Sequence, residues 1–357
     1  VKSAMSGCLA CKACSSQCPI KIDVPGFRAR FLQLYHSRYL RPVRDYLVAG
    51  VERYAPLMAL APATFNFFLK WPVVRTLSER ALGMVDVPLL SQPPLRRQAA
   101  DIFNAQPTLE ALEHMSVEQR QTHVLIVQDP FTSHYDARVV ADFARLVVKL
   151  WLTPVLLPFS PNGKAQHIKG FLQRFARTAR RTADFLNRTA RLELPMVGVD
   201  PALVPCYREV LGATRGDFQV QLVHEWLAGL PESDHAPSRV HAPEPAVQAA
   251  PWYLFGHCTE ATQLPASARQ WRDIFARYGA RLETVSVGCC GMAGTYGHES
   301  ANYAHSRGIY ALSWQQQLAQ LPRGRCLAIG YSCRSQVKRI EGEGLRHPLQ
   351  ALLEIIA

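Results

Sequence analysis

From residue 122 onward the chain alternates short apolar runs with longer stretches of helical period. HVLIVQDPF (123–131) and PWYLFGHCTE (251–260) each carry a run of apolar residues closed by a polar turn, as a buried strand does. Each is followed by apolar residues at three- and four-residue spacing, YDARVVADFARLVVKLW (135–151) and SARQWRDIFARYG (267–279), which predicts an amphipathic helix. A second apolar run comes next, TPVLLPFSP (153–161) and LETVSVGCC (282–290), then further helical stretches. A third run ends at or near a Cys in both, LPMVGVDPALVPC (194–206) and CLAIGYSC (326–333). The spacing from Asp129 to Ser160 equals that from Cys258 to Cys289, and Cys206 falls near the place of Cys333. Two copies of one unit are therefore expected, 122–230 and 252–357, each an α/β unit with parallel strands, joined by the Pro- and Ala-rich linker 231–251.

The N-terminal third reads differently. Phe27, Phe31, Leu34 and Tyr35 recur at helical intervals, as do Leu47, Val51 and Tyr54, with Pro25 and Pro42 as punctuation. Helices broken at prolines are expected from about Pro25 to Val85, and a connector over 86–116. The apolar tract from Ala55 to Val74 contains Pro56, Pro62, Lys70 and Pro72, so it predicts a buried or surface-lying helical hairpin rather than a bilayer-spanning helix.

Composition adds a compartment and removes some classes. With 48% hydrophobic and 19% charged residues, a 357-residue chain can build its own cores without disulfide staples. Ten Cys at clustered spacings then suit metal ligation in a reducing cytoplasm better than a secreted framework. The opening VKSAMSG has no initiating Met and no signal-peptide core, which reads as the start of a C-terminal piece of a longer polypeptide. The formal charge of +12 is spread over several segments, including 174–193, with no nucleic-acid-binding motif beside it. It reads first as a solvated basic face, with acidic partners or a peripheral contact with anionic lipid left open.

Four thiols stand in one turn: Cys8, Cys11, Cys14 and Cys18, with Pro19 behind. Cys-x-x-Cys-x-x-Cys-x-x-x-Cys-Pro is the spacing by which a short turn wraps a [4Fe-4S] cube, and in two-cluster proteins its fourth Cys reaches the other cluster. Zinc is the rival, although its sites usually draw on separated pairs of ligands. Cys258, Cys289, Cys290 and Cys333 form a second set, each at or just beyond the carboxyl end of an expected strand, where the loops of an open α/β sheet gather. Gly288, Gly291 and Gly294 around the paired thiols leave backbone room. A lone Cys would be read as a small buried hydrophobe, but an adjacent pair in a Gly-rich turn points to a cluster or a redox thiol pair. The first unit has Asp129, Ser160 and Pro161 at the matching places, so it cannot hold the same group, and Cys206 is read as a buried thiol. His257, Glu260, His298 and Glu299 are read as holding loops or tuning the site by hydrogen bonds. No Ser/His/Asp triad, phosphate-binding loop or dinucleotide fingerprint is present.

SGCLACKACSSQCPIKIDVP, FGHCTE, GCCGMAGTYGHE and GYSCRSQVKR together resemble the C-terminal iron–sulfur half of bacterial FAD-linked D-2-hydroxyglutarate dehydrogenases, over essentially the whole chain. The pattern is also similar to CCG repeats in the iron–sulfur subunits of glycolate oxidase, anaerobic glycerol-3-phosphate dehydrogenase and heterodisulfide reductase. The resemblance implies a ferredoxin-type segment (1–25), a helical region and connector (26–121), a degenerate CCG-type repeat (122–230) and a second CCG-type repeat (252–357). It implies a [4Fe-4S] cluster, room for a second iron–sulfur cluster, and FAD in an N-terminal domain of the same polypeptide that feeds electrons through this part to an unknown acceptor. The alternative is a zinc-binding structural or interaction module. The family pattern ends in Cys-x-x-Cys, whereas this chain has Gly330-Tyr331-Ser332-Cys333. Either Cys326 replaces the missing thiol or the site has four. Cys18 either completes the first cluster or serves one whose other ligands lie upstream.

Overall fold

The computed structural model describes residues 2–208, 217–231 and 250–356. Most of the expected linker, 232–249, lies outside them. Prolines open the N-terminal helices rather than merely interrupting them. Pro25 sits in the first turn of Val24–Tyr35, Pro62 and Pro72 open Pro62–Lys70 and Pro72–Leu77, and Pro42 precedes Val43–Ala49. These are the positions where the missing N–H costs nothing. Pro56 alone lies inside a helix, Val51–Met58. The expected connector carries short helices at Leu95–Gln98, Ala100–Phe103 and Leu109–His114, because Leu95, Phe103 and Leu112 are drawn into the core.

Seven strands follow among the described residues: β1 (His123–Val127), β2 (Thr153–Leu156), β3 (Met196–Gly198), β4 (Val220–Leu222), β5 (Trp252–Phe255), β6 (Leu282–Val285) and β7 (Cys326–Ala328). They form two parallel sheets of order β2-β1-β3-β4 and β6-β5-β7. The fold is thus α/β with parallel sheets and a helical N-terminal region. The first three strands of each sheet share order and register. Ile126 pairs with Leu156 and Val197, and Phe255 pairs with Val285 and Ala328. β4 was not foreseen, since VQL is three residues long with a polar centre and gains its strand character only from pairing with β3.

The two sheets share one core. The Ala137–Lys149 helix buries Val139, Val140, Phe143 and Leu146, roughly 2 kcal/mol for each large side chain, and packs on the C-terminal Pro348–Ile355 helix. Polar ties cross the same seam: Lys149 Nζ donates to the Leu353 carbonyl at 3.0 Å and Gln350 Nε2 to Asp142 at 2.8 Å. Trp226 of the first unit and Trp252, Trp271 and Leu349 of the second lie in the same cluster.

Glu52 links the N-terminal helices to the first sheet. Its carboxylate accepts the N–H groups of Asn162 (3.2 Å) and Gly163 (2.8 Å), and burial pushes its pKa up to about 7 despite them. A folded-state pKa above the unfolded one means that the unfolded chain holds fewer protons between about pH 4.5 and pH 7. Stability from this group is therefore present at low pH and lost as pH rises through that window, by on the order of 3 kcal/mol. We expect Glu52→Gln to flatten the fall in melting temperature between pH 5 and pH 8, measured by circular dichroism. An unchanged slope would refute the assignment.

Candidate metal centre

Three strand ends deliver the second set of thiols to one place. Cys258 opens the helix Cys258–Gln263 just beyond β5, Cys289 and Cys290 lie in the loop after β6, and Cys333 lies in the first turn of Tyr331–Glu341 after β7. Because β5 is central and all three strands are parallel, their carboxyl ends stand side by side and the loops meet. Cys289 is hydrogen-bonded to Cys258 and to Cys290, and Cys290 is bonded in turn to Cys333. Bonds from Cys258 and Cys290, helped by the Gly291 N–H at 3.3 Å, hold Cys289 as the thiolate and pull its pKa down to about 3. The same contact with Cys289, with burial second, pushes Cys258 upward, and bonds to Cys289 and Cys333 push Cys290 upward. The negative charge thus rests on Cys289, with Cys258 and Cys290 as its thiol donors.

Two glycines at this site, Gly291 and Gly330, are required by packing. Gly291 has φ +84°, and a Cβ there would stand 2.2 Å from the Ser306 carbonyl oxygen. Gly330 faces His257, whose ring carbon would lie 2.3 Å from an added Cβ. The loop is held from the far side by Gly288, whose N–H donates to Ser313 Oγ and whose carbonyl accepts from Trp314 Nε1, both at 3.0 Å.

The Cys8–Cys18 turn docks on this site. Its helix Ala13–Gln17 packs on Cys258–Gln263, and Thr262 Oγ1 donates to the Cys11 carbonyl at 3.1 Å. Cys11 lies near enough to Cys258 for their charges to interact. Arg28 Nη1 donates to the Cys8 carbonyl at 3.0 Å. Ala10 (φ 53°) and Lys12 (φ 62°) flank Cys11 in the left-handed region, which costs a non-glycine residue about 1 kcal/mol. Alternating left-handed residues turn backbone N–H groups to one side and create the concavity that receives anionic clusters. Soft thiolate donors on such a turn fit an iron–sulfur group. Among the described residues, no three His, Cys, Asp or Glu side chains surround a point as ligands of a single ion would.

Of the four polar residues read from the sequence as loop-holders, His257 alone stands beside the thiols. It is buried, burial lowers its pKa, and its Nδ1 has no protein partner. Glu260 faces away, meeting Ser267 and His224. His298 Nδ1 meets the Val85 carbonyl at 3.1 Å, and Glu299 pairs with Lys169 at 2.7 Å and with Arg44 at 3.5 Å, so both fasten the N-terminal region. Sequence reasoning missed the grip of the first unit on the Cys333 helix. Asp200 Oδ2 accepts the Tyr331 N–H at 2.9 Å, Asp136 accepts Arg334 Nε at 2.9 Å, and Phe131 stacks on Tyr331 with centroids 5.4 Å apart. Asp200 lies just beyond β3, so its place at a strand end was the available signal. We expect Asp200→Ala to cost about 1 kcal/mol through the lost helix cap, read as a lower melting temperature. A melting temperature identical to that of the unsubstituted protein would contradict this role.

In the first unit the sheet register places Asp129, Ser160 and Pro161 where the second has Cys258, Cys289 and Cys290. Asp129 accepts the N–H groups of Phe131 and Thr132 at 2.8 Å, and burial, with Asp200 nearby, pushes its pKa up to about 7. Asn162 matches Gly291, so its N–H meets the Glu52 carboxylate where the Gly291 N–H meets the Cys289 sulfur. Cys206 is not in the place of Cys333. Ala202 lies five residues past Val197, as Cys333 lies five past Ala328, and Cys206 falls one helical turn later, buried. Cys326 opens β7 at the end opposite the thiols, its sulfur near the Pro322 carbonyl at 3.5 Å and its pKa pushed up to about 11 by burial. It does not replace the missing thiol, and four remain.

A parallel-sheet α/β unit with four thiols gathered at its strand ends, a second such unit without them and a four-Cys turn docked on top define a tandem thiol-site protein. Over its whole length the chain is 67% identical to part of the D-2-hydroxyglutarate dehydrogenase of Escherichia coli (strain K12). The proteins of the same name from Pantoea ananatis and Haemophilus influenzae are 64% and 52% identical, also across the whole chain. The chain spans about a third of the length of these curated relatives, 35%, 34% and 35% respectively. No family model matches it.

Proposed function

We propose that this chain is the iron–sulfur electron-transfer portion of an FAD-dependent D-2-hydroxyacid dehydrogenase, with D-2-hydroxyglutarate as the substrate suggested by the relatives' name. The observation that carries the reading is the file Cys258, Cys289, Cys290 and Cys333, drawn from three strand ends and capped by the Cys8–Cys18 turn. Cys8, Cys11, Cys14 and Cys18 would hold a [4Fe-4S] cluster in the ferredoxin-type segment 1–25. The four thiols of the 252–357 repeat would hold a second. Such groups take and release single electrons, which suits a flavin donor in the remainder of the polypeptide. The degenerate repeat 122–230 then serves as the clamp on the Cys333 helix. This chemistry belongs in the cytoplasm, where thiols stay reduced.

The test is anaerobic mixing of the full-length polypeptide with D-2-hydroxyglutarate. Flavin bleaching should be followed by bleaching of the broad visible absorbance of the clusters. Flavin bleaching alone, in protein loaded with iron and sulfide, would refute electron transfer through this portion.

A further inference from the structure

Helices between Val43 and Leu77 expose large apolar side chains, among them Leu60 (81%), Phe67 (68%) and Trp71 (50%), with Leu57, Phe68 and Val73 beside them in sequence. Between Arg53 and Ser78 the chain has Arg53, Lys70 and Arg75 but no Asp or Glu. The first of these helices also line a cavity of about 750 Å³, shared with the basic helix Leu172–Ala190. Tyr46, Arg53, Tyr54, Arg174, Arg177 and Arg181 stand on its wall, and the buried carboxyl of Glu52 lies at its edge, taken up by backbone N–H groups. Among the described residues, none of these four arginines is ion-paired, whereas Arg44 and Arg75 elsewhere on the surface are. Arg174 lies over the rings of Tyr46 and Phe171, at 5.8 and 5.1 Å.

We propose that this face lies on an anionic phospholipid surface, the cavity taking a headgroup phosphate and the apolar residues of 57–73 entering the acyl boundary. Unpaired guanidiniums supply fork-shaped donors suited to phosphate. Short helices with aromatic and aliphatic residues on show, Arg53 and Lys70 among them and no Asp or Glu between Arg53 and Ser78, have the chemistry of a segment that rests in the interface. No helix among the described residues is long and apolar enough to cross a membrane, so the contact is one of surface. Charge complementarity decides the occupant, because the cations of this face require an anionic counterpart and its protruding apolar side chains require a hydrocarbon one. The proposal is independent of the electron-transfer reading.

The test uses the full-length polypeptide with vesicles of phosphatidylcholine alone, or of three parts phosphatidylcholine to one part phosphatidylglycerol. Co-sedimentation is expected with the anionic vesicles only, weakening as salt rises. Phe67→Ser/Phe68→Ser/Trp71→Ser and Arg174→Glu/Arg177→Glu/Arg181→Glu should each reduce it by about tenfold or more, with melting temperature, iron and flavin contents unchanged. Absence of vesicle binding by the unsubstituted polypeptide would overturn the proposal and assign the face to a protein contact. Binding of inorganic phosphate without vesicle binding, lost in the Arg variant, would overturn it in favour of a soluble anion.

Discussion

Replacing Cys289 or Cys290 by Ala in the full-length polypeptide should abolish electron delivery to an acceptor while leaving flavin reduction by the hydroxy acid intact. The two residues are the middle of the sulfur file, and Cys289 carries its negative charge under three hydrogen-bond donors. Alanine at either place breaks the file between Cys258 and Cys333, and neither of the two other Cys of the α/β units is placed to repair it. Cys326 lies at the far end of β7, and Cys206 belongs to the other unit, a helical turn away from the position matching Cys333. Cys206→Ala should therefore leave delivery near normal. Stopped-flow absorbance separates flavin reduction from onward transfer. Equal damage from Cys206→Ala and Cys289→Ala in folded protein would refute the assignment of the centre to the second unit alone.

Cys8→Ser, Cys11→Ser and Cys14→Ser should each remove the paramagnetic signal of a reduced cubane cluster, because a hydroxyl is a poor ligand for soft iron. The turn that presents these thiols is strained at Ala10 and Lys12, and such strain persists where the surroundings impose it. Cys11 is the most telling of the three, since its carbonyl is tied to Thr262 and its thiol neighbours Cys258. Its loss should also disturb the spectrum of the second centre. Cys18→Ser should match the others only if all four thiols serve one cluster. Unchanged iron content and spectra in the Cys8, Cys11 and Cys14 variants would end this reading.

Local pattern made much of this legible. Short apolar runs between stretches of helical period marked six of the seven strands among the described residues and the repeat they build, and once the strands were parallel, Cys258, Cys289, Cys290 and Cys333 had to meet. What local pattern could not carry was contact across long stretches of chain. Asp200 meets Tyr331, Asp136 meets Arg334 and Glu52 meets Asn162 with no sign of it in any short window. The glycines show the same limit. Gly291 was read as leaving backbone room, and the structure fills that room with the Ser306 carbonyl. The spacing of the two copies placed Cys206 near Cys333, whereas the sheet register, invisible in sequence, shifts it by a turn.

The most direct measurement is iron, acid-labile sulfide and zinc in anaerobically purified full-length polypeptide, beside the Cys8→Ser/Cys11→Ser and Cys289→Ala/Cys290→Ala variants. The account predicts iron and sulfide in equal amounts, little zinc, and a separate loss of part of the iron in each double variant. Stoichiometric zinc without sulfide in colourless protein, or iron content unmoved by either double variant, would contradict it.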